Sequence, residues 1–422
     1  MTTRLTLLLR LALRNVRRQA RRSMLTAAAM VIGLALLMFS RSLGEGAHED
    51  WIDAGVRLGS GHVTIQDPEF QAHNTLEHRV PAVELARAWE ALNDTTVSRH
   101  VVSTAPRLAV LGLANSPAAA IPATIIGVDP DLEREFSMLA DKLTEGRYLE
   151  SGDRLHAYVG SRLAERLKLR IGSRLVLTAQ DAEGEIAGQL VRVAGIFRTG
   201  IPAADEGLVH IPLSTAQEWL GTEGALTTLA VLLESSREVE TVVTSLRDRL
   251  SNLPNVAVLG WRQAMPELDG AVRIDDYGDL VFHGILLAIV ALAIVNTVLM
   301  SVLNRVREFG VVRALGLTKL ETGSIVFLEG LVLTVASGVL GMVIGISFTL
   351  LFFRNGLDFS FMFDSEFTAA GVVINPVIVP QFTPSLIVKS VAFVVLIGIL
   401  SSFYPALRAA KIDIAESMKF EA

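Results

Sequence analysis

Apolar residues gather in four long runs, roughly 24–43, 280–303, 322–353 and 386–407, one near the start of the chain and three in its last third. Each can cross about 30 Å of hydrocarbon at about 1.5 Å per helical residue. Between the first and second runs lie about 235 mostly polar residues, enough for one large domain or two small ones. The pattern predicts a membrane protein with four transmembrane α-helices and a large α+β extracytoplasmic domain inserted between the first two spans.

Within the inserted segment, 44–279, alternation switches between strand and helix periods. Stretches 62–66 and 101–113 read as extended, 80–92 as helical, and 123–128 as a strand ending in an Asp129-Pro130 turn. From 130 to 221 come short strand-like pieces at 175–179, 189–197 and 207–211, interrupted by helices near 161–168 and 214–220. Strand, helix and strand then return at 226–234, 239–250 and 256–259. These readings predict two lobes: an outer α/β lobe of 57–129 plus 222–272, with a β-rich lobe, 130–221, set into its middle.

A composition of 51% hydrophobic and 19% charged residues, with a mean hydropathy of +0.45, fits a membrane protein carrying a soluble part. The formal net charge of −6 argues against a nucleic-acid partner, and the absence of cysteine removes disulfides, thiolate metal sites and cysteine nucleophiles. Arginines 4, 10, 14, 17, 18, 21 and 22 precede the first span, whereas Glu45, Glu49 and Asp50 follow it. By the positive-inside rule the N-terminus is cytoplasmic. Three further crossings place the loop 304–321, with Arg305, Arg307, Arg313 and Lys319, and the tail 408–422 inside as well, and leave 354–385 outside. Residues 1–23 repeat arginine at helical spacing opposite Leu5, Leu8 and Ala12, as an uncleaved amphipathic elbow helix does at a lipid headgroup surface rather than a signal peptide.

The outer segment offers no catalytic constellation. His48, His62, His73, His78, His100, His156 and His210 are scattered without metal-ligand spacing, and there is no Gly-x-Ser-x-Gly elbow. The phosphate loop Gly-x-x-x-x-Gly-Lys-Ser/Thr is also missing, so any ATP and magnesium that drive the protein are bound by another chain. Within the spans, Ser337, Gly341 and Gly345 form a small-residue ridge, and Ala29 with Gly33 a shorter one. Their spacing suits packing within one subunit or between two. Asn296 is expected to bond across helices, Pro405 to bend or end the fourth span, and Glu329, near the inner interface, to need a partner such as a backbone amide or an arginine of the loop.

The segment NRVREFGVVRALGLTKLETGSIVFLEG resembles the cytoplasmic loop of the FtsX/MacB-like ABC transporter permeases: Arg305, Glu308, Phe309, Gly310, Arg313, Ala314, Leu315, Gly316 and Glu329 follow that pattern. The closing FYPALRAAKIDIAESMKFEA and the opening LALRNVRRQARRSMLTAAAMVIG are similar to the family's ends, although Ile414 stands in place of the usual proline. GHVTIQDPEF, GVDPDLE, EGRYLESGD, AGIFRTG and DEGLVHIPL resemble the lipoprotein-release subgroup, the LolC/LolE-like permeases. That subgroup's chaperone-recruiting member carries a long proline-bearing hook; the corresponding turn here, 181–188, is short and has no proline.

The resemblance implies a MacB-type periplasmic core and a coupling helix in which Glu308 and Arg313 make polar contacts with a separate ATPase. On helical spacing, Phe309, Val312 and Leu315 can share the apolar face that anchors it, and Gly316 can end the helix at a left-handed cap. Implied partners are two ATPase copies, a second permease copy or a paralogue, a periplasmic adaptor or lipoprotein carrier, and membrane lipids. The implied location is the bacterial inner membrane with the large domain in the periplasm. Implied functions are lipoprotein extraction, MacB-like efflux by mechanotransmission, or FtsX-like regulation of periplasmic enzymes.

Overall fold

A computed structural model describes residues 20–362, 368–369, 372–373 and 376–412. The expected elbow helix and the last ten residues therefore lie almost wholly outside the described residues. The chain divides into a membrane unit, Met1–Ala47 with Ile274–Asp358 and Val377–Ala422, and an outer unit, His48–Arg273 with Phe359–Pro376.

Among the described residues four helices are long and apolar enough to cross a membrane. They are Ala20–Leu58, Pro266–Asn304, Lys319–Phe352 and Pro384–Ala410; the first, second and fourth run past both ends of the apolar runs that announced them, and the third starts earlier than its run but ends one residue short. The first two gain most, because their helical pattern continues into polar residues at the ends that enter the outer segment. Pro405 does not end the fourth helix, which continues to Ala410. Inside the membrane unit Met30, Leu37, Leu287, Ile294, Val298, Val326 and Ile397 form the shared core. The small-residue ridge is spent here: a Cβ on Gly341 would meet Leu34 Cβ at 2.8 Å and the Val31 carbonyl at 2.9 Å, and one on Gly345 the Ala35 carbonyl at 2.8 Å. The first and third spans therefore touch backbone to backbone.

The outer unit runs β1 (Val63–Gln66), α1 (Ala82–Leu92), β2 (Val101–Asn115), β3 (Ala120–Val128), α2 (Pro130–Phe136), β4 (Leu143–Gly146), β5 (His156–Gly160), α3 (Ser161–Arg166), β6 (Arg174–Gln180) and β7 (Ile186–Phe197). β8 (Leu208–Pro212), α4 (Leu213–Leu220), β9 (Thr228–Leu233), α5 (Val239–Leu250) and β10 (Ala257–Gly260) complete it. Asp129-Pro130 is not a turn but a helix start. The Asp129 carboxylate accepts the amides of Asp131 and Leu132, and Pro130 occupies the first helical position, where its missing N–H costs nothing.

Six strands close on themselves in the order β2, β3, β8, β5, β7, β6 and back to β2. Leu108, Val110, Ile125, Val159, Leu177 and Val191 fill the interior of this barrel. The β-rich lobe thus draws β2 and β3 from the stretch assigned to the other lobe, because closure needs pairings between strands far apart in sequence. The second lobe is an open extension in which β10, β1 and β9 continue from the first half of β2. Its middle strands are buried on both faces, and β9 reads as a nearly continuous apolar run, while β1 keeps its alternation but buries Thr64 and Gln66 as well. On one face Leu229, Val231 and Leu233 pack under α1 and α5. On the other, Ala230 and Leu232 meet Ile52 and Val56 from the end of the first long helix and Leu268 and Val272 from the start of the second.

Candidate functional site

The loop between the second and third spans is a short helix, Val306–Ala314, fixed at both ends. Arg305 sits at the break after the second span, with φ −121°. Its Nε donates to Glu308 at 2.8 Å, its Nη1 to Glu329 at 3.2 Å, and its guanidinium lies 5.2 Å from the Phe309 ring centroid. One arginine therefore joins the loop helix to a carboxylate inside the third span, which supplies the partner that Glu329 needs. At the other end Gly316 adopts φ +110°, a conformation that excludes most side chains. Thr318 then opens the third span with a capping box: its hydroxyl accepts the Glu321 amide at 3.2 Å, and Glu321 accepts the Thr318 amide at 2.9 Å.

Phe309 and Gly310 are buried, Phe309 among Val298, Val302, Val326 and Ala409, whereas Leu315 is 80% exposed. The expected shared face of Phe309, Val312 and Leu315 is thus split. These three span about 120° of a helix at 3.6 residues per turn, and the bundle takes the largest ring. Val311 and Leu315, four residues apart, form the exposed apolar edge instead, joined by Leu320 at 82% exposure. Leu320 was not singled out from sequence, because one leucine just past a cap has no periodic neighbours. Glu308 is exposed beside this edge, while Arg313 donates to the Ile412 carbonyl and so holds the C-terminal segment. The loop presents Val311, Leu315, Leu320 and the Glu308 carboxylate outward, while Arg305 and Phe309 hold it to the spans and Arg313 holds it to Ile412.

The remaining intramembrane candidates separate. Ser337 is buried with the glycine ridge. A Cβ on Gly33 would lie 3.2 Å from Val290 of the second span, and Ala29 and Gly33 line an apolar groove of about 180 Å³ with Leu287, Val290 and Ala293. Asn296 does not bond across helices: it is exposed on the second span and makes no side-chain hydrogen bond among the described residues. One polar side chain on a helix face carries no periodic signal of which way that face turns.

A second polar constellation, in the outer unit, was missed altogether. Arg107 of β2 donates to Glu133 of α2 at 2.9 and 2.6 Å and to the carbonyl of Gly59, one residue past the end of the first long helix. Its guanidinium lies 4.9 Å from the Phe136 ring centroid. Burial pushes the Glu133 carboxyl up, but the Arg107 charge and hydrogen bonds outweigh it and hold it below the ordinary range. Nearby His210 is fully buried, its Nδ1 unpartnered, and burial pushes it down to about 4 despite Glu133. It is neutral at neutral pH. Partners 26 residues apart leave no sequence motif, so only the fold reveals them.

A family model described as the MacB-like periplasmic core domain matches residues 23–249, and one described as the FtsX-like permease C-terminal matches 280–414. An uncharacterized ABC transporter permease of Methanocaldococcus jannaschii is 21% identical over 97% of both chains. The lipoprotein-releasing system transmembrane protein LolC of Xylella fastidiosa is 22% identical over 71% of this chain and 73% of its own. A macrolide export ATP-binding/permease protein MacB of Paracoccus denitrificans is 22% identical over 97% of this chain, which spans 58% of that protein. Because the first model alone covers more than half of the sequence, the chain belongs to the FtsX/MacB-like family of ABC transporter permeases, a multi-pass membrane protein with a MacB-like periplasmic core.

Proposed function

We propose that this permease couples ATP hydrolysis by a separate ATPase to movement of its outer unit, and that its cargo is a lipoprotein drawn from the bacterial inner membrane. ATP and magnesium are bound by the partner. The observation that carries the coupling is the loop helix: Val311, Leu315 and Glu308 face outward while Arg305 and Arg313 bind it to the third span and to the C-terminal segment. Force applied there enters the spans through a charge-assisted hydrogen bond rather than through a flexible linker. The first two long helices provide the path onward, since 39 residues of helix extend about 58 Å, well beyond the hydrocarbon thickness. The lipoprotein cargo rests on the likeness to LolC; the likeness to MacB over nearly the whole chain supports efflux as the second reading.

Purification with the ATPase encoded beside it tests both levels. Leu315→Asp should prevent the complex from forming, and Glu308→Arg or Arg313→Glu should leave membrane insertion intact while ATP hydrolysis no longer tracks transport. Full complex formation and unchanged transport in all three variants would refute the coupling site. Lipoproteins retained with the wild-type complex favour extraction; a retained small apolar compound favours efflux.

A further inference from the structure

The β6–β7 hairpin carries an outward face that coupling does not use. Arg174, Val176, Thr178 and Gln180 of β6 point away from the barrel interior and pair in register with Arg192, Leu190, Gly188 and Ile186 of β7. β2 extends the face, setting exposed Leu113 beside Thr178. The result is an exposed apolar strip of Leu113, Val176, Leu190 and Ile186.

Its two ends carry opposite charge. Arg174 and Arg192 stand directly opposite each other, a repulsive cross-strand pair, and neither forms an ion pair among the described residues. Seven residues on, about 23 Å away along the strand, the hairpin tip holds Asp181 and exposed Glu183 and Glu185, again with no ion pair among the described residues. A two-fold axis through the row of Thr178 and Gly188 lays an identical hairpin antiparallel on this one. Each arginine pair then meets the other copy's acidic tip, and the apolar strips meet each other.

We infer that this hairpin face is a self-complementary contact for a second copy of the same chain. A partner of another kind would need acid, apolar and base in matching order and spacing; an identical copy has them by symmetry. The strip is far smaller than the roughly 800 Å² per partner of a stable interface, so the contact forms between copies already held in one assembly, where local concentration is about millimolar. The inference deepens the proposed function by naming an identical copy, rather than a paralogue, as the second permease.

The chain contains no cysteine, so one introduced thiol reports one contact. Thr178→Cys, near the two-fold axis, should form a disulfide with its own copy under mild oxidation of membranes holding the full chain, giving a band at twice the mass. Gly188→Cys, where a Cβ meets nothing within 4 Å, repeats the readout. Val83→Cys, exposed on α1, should not cross-link. Adding Arg174→Glu and Arg192→Glu should cut the cross-link about tenfold. Adding Glu183→Arg and Glu185→Arg as well should restore it. Absence of the doubled band from both thiol variants, failure of the fourfold reversal to restore it, or a cross-link to a protein of different mass would each overturn the contact. Glu308→Arg, which should uncouple hydrolysis from transport with the chain still inserted, should leave the cross-link unchanged, so loss of ATPase coupling and loss of this contact are read separately.

Discussion

Two arginine–glutamate pairs with both side chains largely shielded from solvent stand among the described residues, one in each unit, and they are built differently. In the outer unit Arg107 and Glu133 are 9% and 1% exposed, joined by two hydrogen bonds of 2.6 and 2.9 Å, with the third contact of the fork on the Gly59 carbonyl. In the membrane unit Arg305 and Glu329 are 10% and 12% exposed but share a single bond of 3.2 Å, and Arg305 gives its shorter bond, 2.8 Å, to Glu308. A bidentate buried pair has one geometry, whereas an arginine divided between two carboxylates has a second place to go. The first is a fixture between β2, α2 and the end of the long helix. The second is a clasp between the loop helix and the third span.

Arg107→Ala should cost the outer unit most. Glu133 would be left buried, charged and unpaired, which costs about 3–5 kcal/mol. Chemical denaturation of the full chain should show this loss in the outer unit, and a loss below about 1 kcal/mol would mean the fixture is no fixture. Acid probes the same region next. His210 has its folded pKa lowered to about 4, so its stabilisation is present above the unfolded value of about 6.5 and drains away as pH falls from there to about 4. Glu133, also depressed, adds a loss only below about 4.3. The His210 contribution is about 3 kcal/mol at most. Melting of the outer unit at pH 7.5 and 5 should show the slope, and His210→Gln should flatten it; an unchanged slope would assign the acid sensitivity elsewhere.

On the clasp side the exposed edge comes first. Leu320→Asp places a charge where the loop offers an aliphatic side chain and touches no internal bond, so affinity for the ATPase should fall by about tenfold or more while the permease melts unchanged. Equal affinity would remove Leu320 from the docking surface.

The unequal legibility of the two pairs has a physical cause. The loop was readable because its signals are local: Arg305, Glu308 and Phe309 lie within about one helical turn, and Gly316 supplies a positive φ. The apolar runs announced the spans for the same reason. Arg107 and Glu133, like the barrel that holds them, depend on strands far apart in sequence. β2 must pair with β6 to close the ring, and β5, five residues long, is too short to show alternation. Even the loop was legible only as a helix. Which side of it faced the bundle was decided by the space available for Phe309, and that space is made by residues of the second, third and fourth spans.

The smallest perturbation separates clasp from fixture most directly. Glu308→Gln keeps the side chain's shape and removes one of the two charges that Arg305 divides itself between. Glu308 is 44% exposed, so the cost in stability should stay below about 1 kcal/mol. Arg305 would then commit to Glu329, and the clasp would come to resemble the pair in the outer unit. If division between two carboxylates is what lets the loop helix move, ATP hydrolysis by the complex should continue with transport reduced, and Glu329→Gln should shift the balance the opposite way by leaving Arg305 to Glu308. Transport indistinguishable from wild type in both variants would show that Arg305 merely anchors, and the two pairs would then differ in geometry but not in role.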